Sequence, residues 1–133
     1  MKYTYEFYQG PFNLLMIKLP ENISLVGEFL ENDIQNSDGV FWLSRINKVL
    51  NCEVDSLELG GNSCDLEIRN DFTKIIHRYI EDENYSCNIE TDELQELILV
   101  WVKEKEKEKE KEKEKQKISS NIFGQIFKNI KLS

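Results

Sequence analysis

From Lys103 to Lys115 the chain alternates Lys and Glu without a break. A stretch with no apolar side chain has nothing to bury and cannot join a core. Whatever folds compactly therefore lies before it, in about a hundred residues, enough for one ordinary core but not two. Within the run, residues four apart always share a sign, and opposite charges meet only at odd spacings, of which three adjoin on a helix. The usual Glu-to-Lys support at i,i+4 is missing. The run reads as a solvated helical rod or as a well-mixed polyampholyte coil, a spacer that DNA slippage could have generated. The chain thus divides into an acidic α+β domain over 1–102, a Lys-Glu helical or disordered spacer over 103–117, and a short amphipathic or disordered tail over 118–133.

Charge divides at the same place. Up to Val102 there are 19 Asp and Glu against 7 Lys and Arg, a charge of −12, whereas the remainder carries +4 and the whole chain −8. Phosphate backbones are held mainly by Lys and Arg, so a body this acidic is a poor nucleic-acid reader and a natural complement to a basic protein. The longest apolar stretches, Leu14–Ile17 and Leu97–Val102, fall far short of the ~20 residues that span a bilayer. Met1-Lys2 runs directly into alternating Tyr3 to Phe7, with neither an apolar h-region nor a small-residue cleavage site. Three scattered cysteines, Cys52, Cys64 and Cys87, form no CxxC pair and read as reduced thiols of a cytoplasmic protein. The abundance of Asn, Ile, Lys and Glu suggests an AT-rich bacterial coding sequence.

The periodicities give an α+β order. Tyr3, Tyr5 and Phe7 alternate with polar neighbours, and Gly10-Pro11 breaks the chain before Phe12 to Leu19, an opening hairpin. Ile23, Val26, Phe29, Leu30 and Ile34 follow helical spacing, weakened at Gly27. The turn cluster Asn36 to Gly39 supplies an N-cap for a second helix through Leu50. Leu57 and Leu59, then Gly60-Gly61-Asn62, then Cys64, Leu66 and Ile68 mark a β-hairpin, in which glycine is expected to provide positive φ at the turn. Phe72–Ile80 and the Tyr85, Cys87, Ile89 alternation extend it into a meander. Thr91 is a good N-cap for a C-terminal helix from about Asp92, whose Leu94, Leu97, Ile98, Trp101 and Val102 form the stripe that should cover the sheet. In the tail, Ile122, Phe123, Ile126, Phe127 and Ile130 share one helical side beside Lys128 and Lys131. Such a segment suits a membrane surface or a partner groove, or is a dispensable extension.

Catalytic constellations are lacking. His77 is the one histidine, without a cysteine near it in sequence, and no Ser or Cys lies in a nucleophile-elbow context. Paired zinc-ligand spacing is absent, and Gly60-Gly61 sits between strands with no phosphate-loop Lys after it. No cofactor or metal is implied, and an enzyme built on dispersed carboxylates is disfavoured. What remains is carboxylate surface. Glu58, Asp65 and Glu67 alternate with the apolar residues of the hairpin, Asp71 lies in the next turn, and Glu81, Asp82 and Glu83 form a dense acidic turn that lacks the Gly and terminal Glu of a calcium loop. These seven residues are the candidate partner-binding set, since charge complementarity to Lys and Arg raises association rate and specificity.

The run Leu57-Glu58-Leu59-Gly60-Gly61-Asn62-Ser63-Cys64-Asp65-Leu66-Glu67, with Cys87 to Leu94 and the helix to Trp101, resembles the small bacterial immunity proteins of polymorphic and contact-dependent growth-inhibition toxin systems. The resemblance covers about the first hundred residues as an architecture. It implies a non-catalytic cytoplasmic protein that binds a cognate toxin stoichiometrically, often a basic nuclease, and occludes it with acidic and aromatic residues. The Lys-Glu run and tail depart from that pattern, and the alternative is a structural or adaptor protein whose tail docks on a membrane or a partner groove.

Overall fold

A computed structural model describes the chain apart from Asn36, Ser37, Glu81, Glu83, Asn84 and Ser133, and apart from the side chains of Phe123 and residues 126–132. Two compact units are present, Met1–Trp101 and Val102–Ser133. In chain order the elements are β1 (Glu6–Gln9), β2 (Leu15–Lys18), α1 (Ser24–Asp33), α2 (Asp38–Leu50), β3 (Ser56–Gly60), β4 (Cys64–Arg69), β5 (Phe72–His77), β6 (Ser86–Glu90) and α3 (Thr91–Leu132). Strands β1 and β2 pair antiparallel as a separate hairpin, and β3-β4-β5-β6 form an antiparallel meander. The α+β class, the hairpin, the meander and a helix from Thr91 all match the expectation from periodicity.

Alternation along β4 explains which face of the meander is dry. Cys64, Leu66 and Ile68 are buried while the residues between them are not, and Ile75 and Ile89 continue that face on β5 and β6. Helix α2 lies against β3 and β4, and α1 against β5, β6 and the hairpin strand β2. The aromatic centre of the helical layer is Phe29 of α1, edge-on to Trp42 of α2 with centroids 4.9 Å apart. The start of α3 supplies Leu94, Leu97, Ile98 and Trp101, all buried. Trp101 stacks obliquely on Phe7 with centroids 6.3 Å apart, and its indole N–H donates to Ile34 O at 2.9 Å, so the ring is buried with its polar atom satisfied.

The turn between β3 and β4 is organised from α1. Asp33, 3% exposed, accepts hydrogen bonds from Ser63 N (2.8 Å), Ser63 Oγ (3.2 Å) and Cys64 N (3.0 Å). Gly61 packs so closely on this carboxyl that a Cβ there would lie 2.7 Å from Asp33 Cγ. The expectation of a positive φ at the turn glycines is therefore corrected, because among the described residues no glycine has one. Gly61 is required for room. Left-handed backbone occurs instead at Phe12 (φ 58°), Asn13 (φ 62°) and Cys52 (φ 58°), a conformation that costs a non-glycine residue about 1–2 kcal/mol. At the opposite end of the meander, Thr91 Oγ1 donates to Arg69 O and shares a 2.9 Å hydrogen bond with Thr73 Oγ1, which fastens the start of α3 to the sheet.

In the Val102–Ser133 unit the Lys-Glu run is helical. Glu104 pairs with Lys107 at 3.9 Å, at the i,i+3 spacing that strict alternation leaves available. Ile118 and Ile122 are 59% and 52% exposed on the helix that follows.

Two measurements test this account. Asp33→Ala strands three donors, two of them backbone N–H groups, and is expected to lower unfolding free energy by about 3 kcal/mol in chemical denaturation. Gly61→Ala is expected to be destabilising for want of space. Glu31 accepts the Ile17 N–H at 3.0 Å, and burial holds its carboxyl above its ordinary value despite that bond. A carboxyl raised in the folded state contributes stability below its unfolded pKa and loses it as pH rises through the folded value. Glu31→Gln, which keeps an acceptor for Ile17, should therefore gain in melting temperature over the parent on going from acid to neutral pH.

Candidate functional site

The solvent face of the meander is built from residues that alternate with the buried ones. In the β3–β4 register Glu58 stands directly across from Glu67, and Gly60 across from Asp65. On the other side of β4, Glu67 faces Lys74 and Asp65 faces Ile76. The outer face therefore carries Glu58, Asp65 and Glu67 together, with two cations among them. Arg78 places Nε 3.5 Å from Asp65 Oδ1 and donates from Nη1 to Gly61 O at 2.7 Å. A cation held by the turn below it is a fixed part of the surface, whereas Glu58 lies on edge strand β3 with a like charge across from it, an arrangement that disfavours the fold slightly.

Two shallow depressions lie on this face. One of about 320 Å³ is lined by Glu58, Leu59, Gly60, Asp65, Leu66, Glu67 and Ile76. The other, of about 340 Å³, is lined by Asp65, Lys74, Ile76, His77, Arg78, Ile80, Asp82 and Ser86. They share Asp65 and Ile76 and are ringed by charge, unlike the enclosed, largely apolar cavities that take small molecules. Of the seven candidate acids, Glu58, Asp65, Glu67 and Asp82 thus gather on one continuous surface. Asp71 is in the β4–β5 turn at the other end of the sheet, where its Oδ1 accepts the Phe72 N–H at 2.8 Å. Glu81 and Glu83 lie outside the described residues.

Sequence alone places no cysteine near His77, and the sheet corrects this, since the β4–β5 register sets Cys64 directly across from it. The pair does not make an activated nucleophile. Burial pushes the Cys64 thiol up to about 11, so at neutral pH it is a protonated, weakly reactive group. His77 Nδ1 accepts the Tyr79 N–H at 3.2 Å, its Nε2 is 3.8 Å from Glu28 Oε2, and the rings of Tyr79 and Tyr85 meet it edge-on. These contacts suit a histidine that packs Tyr79 and Tyr85 at the end of β5. Among the described residues no three His, Cys, Asp or Glu side chains gather as a metal would need, and no helix is long and apolar enough to cross a membrane.

Aromatic surface is what periodicity overlooked. Tyr79 and Tyr85, whose rings meet His77, are 75% and 42% exposed, and Phe12 at the tip of the first hairpin is 96% exposed. The signal for Phe12 was Gly10-Pro11 followed by Asn13, a run of turn formers that extends the break through the phenylalanine itself.

Burial also pushes Cys87 up to about 11, whereas Cys52 is exposed. Thiol labelling of the native protein at neutral pH should modify Cys52 first, with Cys64 and Cys87 slower by on the order of 100-fold, in keeping with their smaller thiolate fraction. All three should react at once in denaturant.

No family model matches the chain, and no solved structure matches it. A curated protein from Bacillus cereus (strain ATCC 14579), named "Immunity protein", is 38% identical over 102 residues, covering 76% of this chain and 86% of that one. Identity at that level over most of both chains marks common descent, and the chain belongs to the family of that bacterial immunity protein.

Proposed function

We propose that this chain is a non-catalytic cytoplasmic inhibitor that neutralises a basic toxin by one-to-one binding, with the outer face of the meander laid over the toxin's cationic surface. The observation that carries the reading is its kinship with the Bacillus cereus immunity protein. Electrostatics supports this location. Glu58 and Glu67 face one another across β3 and β4, at a small cost to the fold that a cationic partner would turn into attraction. A nuclease fits this role well, because an enzyme that grips phosphates presents Lys and Arg at its active site, and carboxylates from Glu58, Asp65, Glu67 and Asp82 would occupy the places of those phosphates.

The test begins with capture of the partner: the tagged full chain is expressed in its host and washed at low salt, and a single basic polypeptide is expected at one-to-one stoichiometry. That polypeptide, produced separately, should arrest growth, and co-expression of this chain should relieve the arrest. The association rate should fall by about tenfold or more as ionic strength rises from ~0.01 to ~1 M, over which the Debye length shrinks from about 30 to about 3 Å. Glu58→Lys separates the two roles of the face. It creates an opposite-charge pair with Glu67 and should leave the fold as stable or slightly more so, by about 0.2–1 kcal/mol, yet slow association. Rates indifferent to both salt and charge reversal would remove the electrostatic part of the proposal.

A further inference from the structure

The β1–β2 hairpin carries a side chain that its own folding does not explain. Its turn, Gly10-Pro11-Phe12-Asn13-Leu14, is closed by the Gly10 N–H donating to Leu14 O at 2.8 Å. Phe12 and Asn13 are both left-handed at φ 58° and 62°, a region where Asn and Gly are at home and a bulky ring is an outlier. The Phe12 ring is 96% exposed, so no burial within this chain offsets its strained backbone. Strain of this kind persists where a side chain is held in one attitude for an encounter with something else. Leu14 beside it is 57% exposed, and Tyr8, which faces Met16 across the hairpin, is 48% exposed.

Charge says what the tip meets. From Phe7 to Ile17 there is no ionisable charge, in a chain of which 32% is charged. The first charges outside it, Glu6 and Lys18, face one another at the base of the hairpin. An apolar, charge-free centre with charge at its rim is the anatomy of a protein interface. A second copy of this chain is a poor occupant, since each carries a net −8 and the folded part −12, and like-charged bodies repel at contact distance. A cationic protein is drawn to the same body and can offer the neutral tip an apolar recess.

We infer that Phe12, with the exposed Leu14 and Tyr8 of the same hairpin, is the apolar anchor by which this chain enters a recess on its basic partner. The acidic face steers the encounter and the hairpin tip sets its lifetime, because an aromatic side chain that fills a pocket is a typical source of slow dissociation. This inference rests on the toxin-neutralising reading and deepens it by naming a second contact on a separate element.

Phe12→Asn tests it, because asparagine accepts the left-handed conformation and removes the ring. The probe is the purified polypeptide recovered at one-to-one stoichiometry with the full chain. The variant should melt at the parent temperature or a few degrees above it (~2–5 °C). It should bind that polypeptide about 30-fold or more weakly, chiefly through faster dissociation, and protect cells poorly. A melting temperature several degrees lower would place Phe12 among the contacts that hold the fold and overturn the inference. Equal affinity and protection would overturn it while leaving the toxin-neutralising reading intact. Failure of the parent chain to bind or protect would defeat that reading itself. A parent chain that sediments as a dimer, with Phe12→Asn monomeric, would assign the tip to self-association and overturn the inference as well.

Discussion

One buried carboxylate joins the helical layer to the sheet. Asp33 is the last residue of α1, where the helix dipole disfavours negative charge, and the three donors it receives from Ser63 and Cys64 are what make the position tenable. Those same bonds fix where β4 begins. Because side chains alternate across a strand, a slip of β4 by one residue would turn Asp65 and Glu67 inward and expose Cys64, Leu66 and Ile68. The acidic face is thus a downstream property of Asp33, and the closeness of Gly61 to that carboxyl leaves the turn one way to sit.

A second set of bonds holds the far end of the meander. Asn70 Nδ2 donates to Val49 O and Leu50 O at 3.1 and 3.3 Å, tying the β4–β5 turn to the end of α2. Thr91 reaches Arg69 O and Thr73 from the start of α3, and its N–H donates to Asp71 O at 3.1 Å. Glu90 and Glu93 gather the N-terminus, through Lys2 and Tyr3. Both ends of the sheet are thus pinned by polar contacts while its middle is pressed on apolar helix faces, which holds the strands beneath the acidic residues in one register.

Elements whose burial repeats with a clean period were legible from the residues alone. The Leu57, Leu59, Cys64, Leu66, Ile68 alternation gave β3 and β4, and Leu94, Leu97, Ile98 and Trp101 gave the buried stripe of α3. What periodicity missed depends on partners distant in sequence. Gly61 looked like a φ requirement and is a packing requirement, since Asp33 comes from another element. The first strand was read from Tyr3 and begins at Glu6, because Lys2 and Tyr3 serve Glu90 instead of a ladder. Phe12 was read into the second strand on hydrophobicity, yet it sits in the turn. Of the acidic set, alternation was enough to place Glu58, Asp65 and Glu67 on one face. The wide separation of Asp71 from them needed the strand register.

The helical Lys-Glu run has a geometric corollary. Each Lys-Glu unit advances a helix by about 3 Å and rotates it by about 200°, while adding no net charge. A gain or loss of one unit therefore swings Ile118 and Ile122 to nearly the opposite side of the axis relative to the start of the run. Repeat number acts as a rotary setting on the tail, one that replication slippage can turn without altering the charge of the molecule.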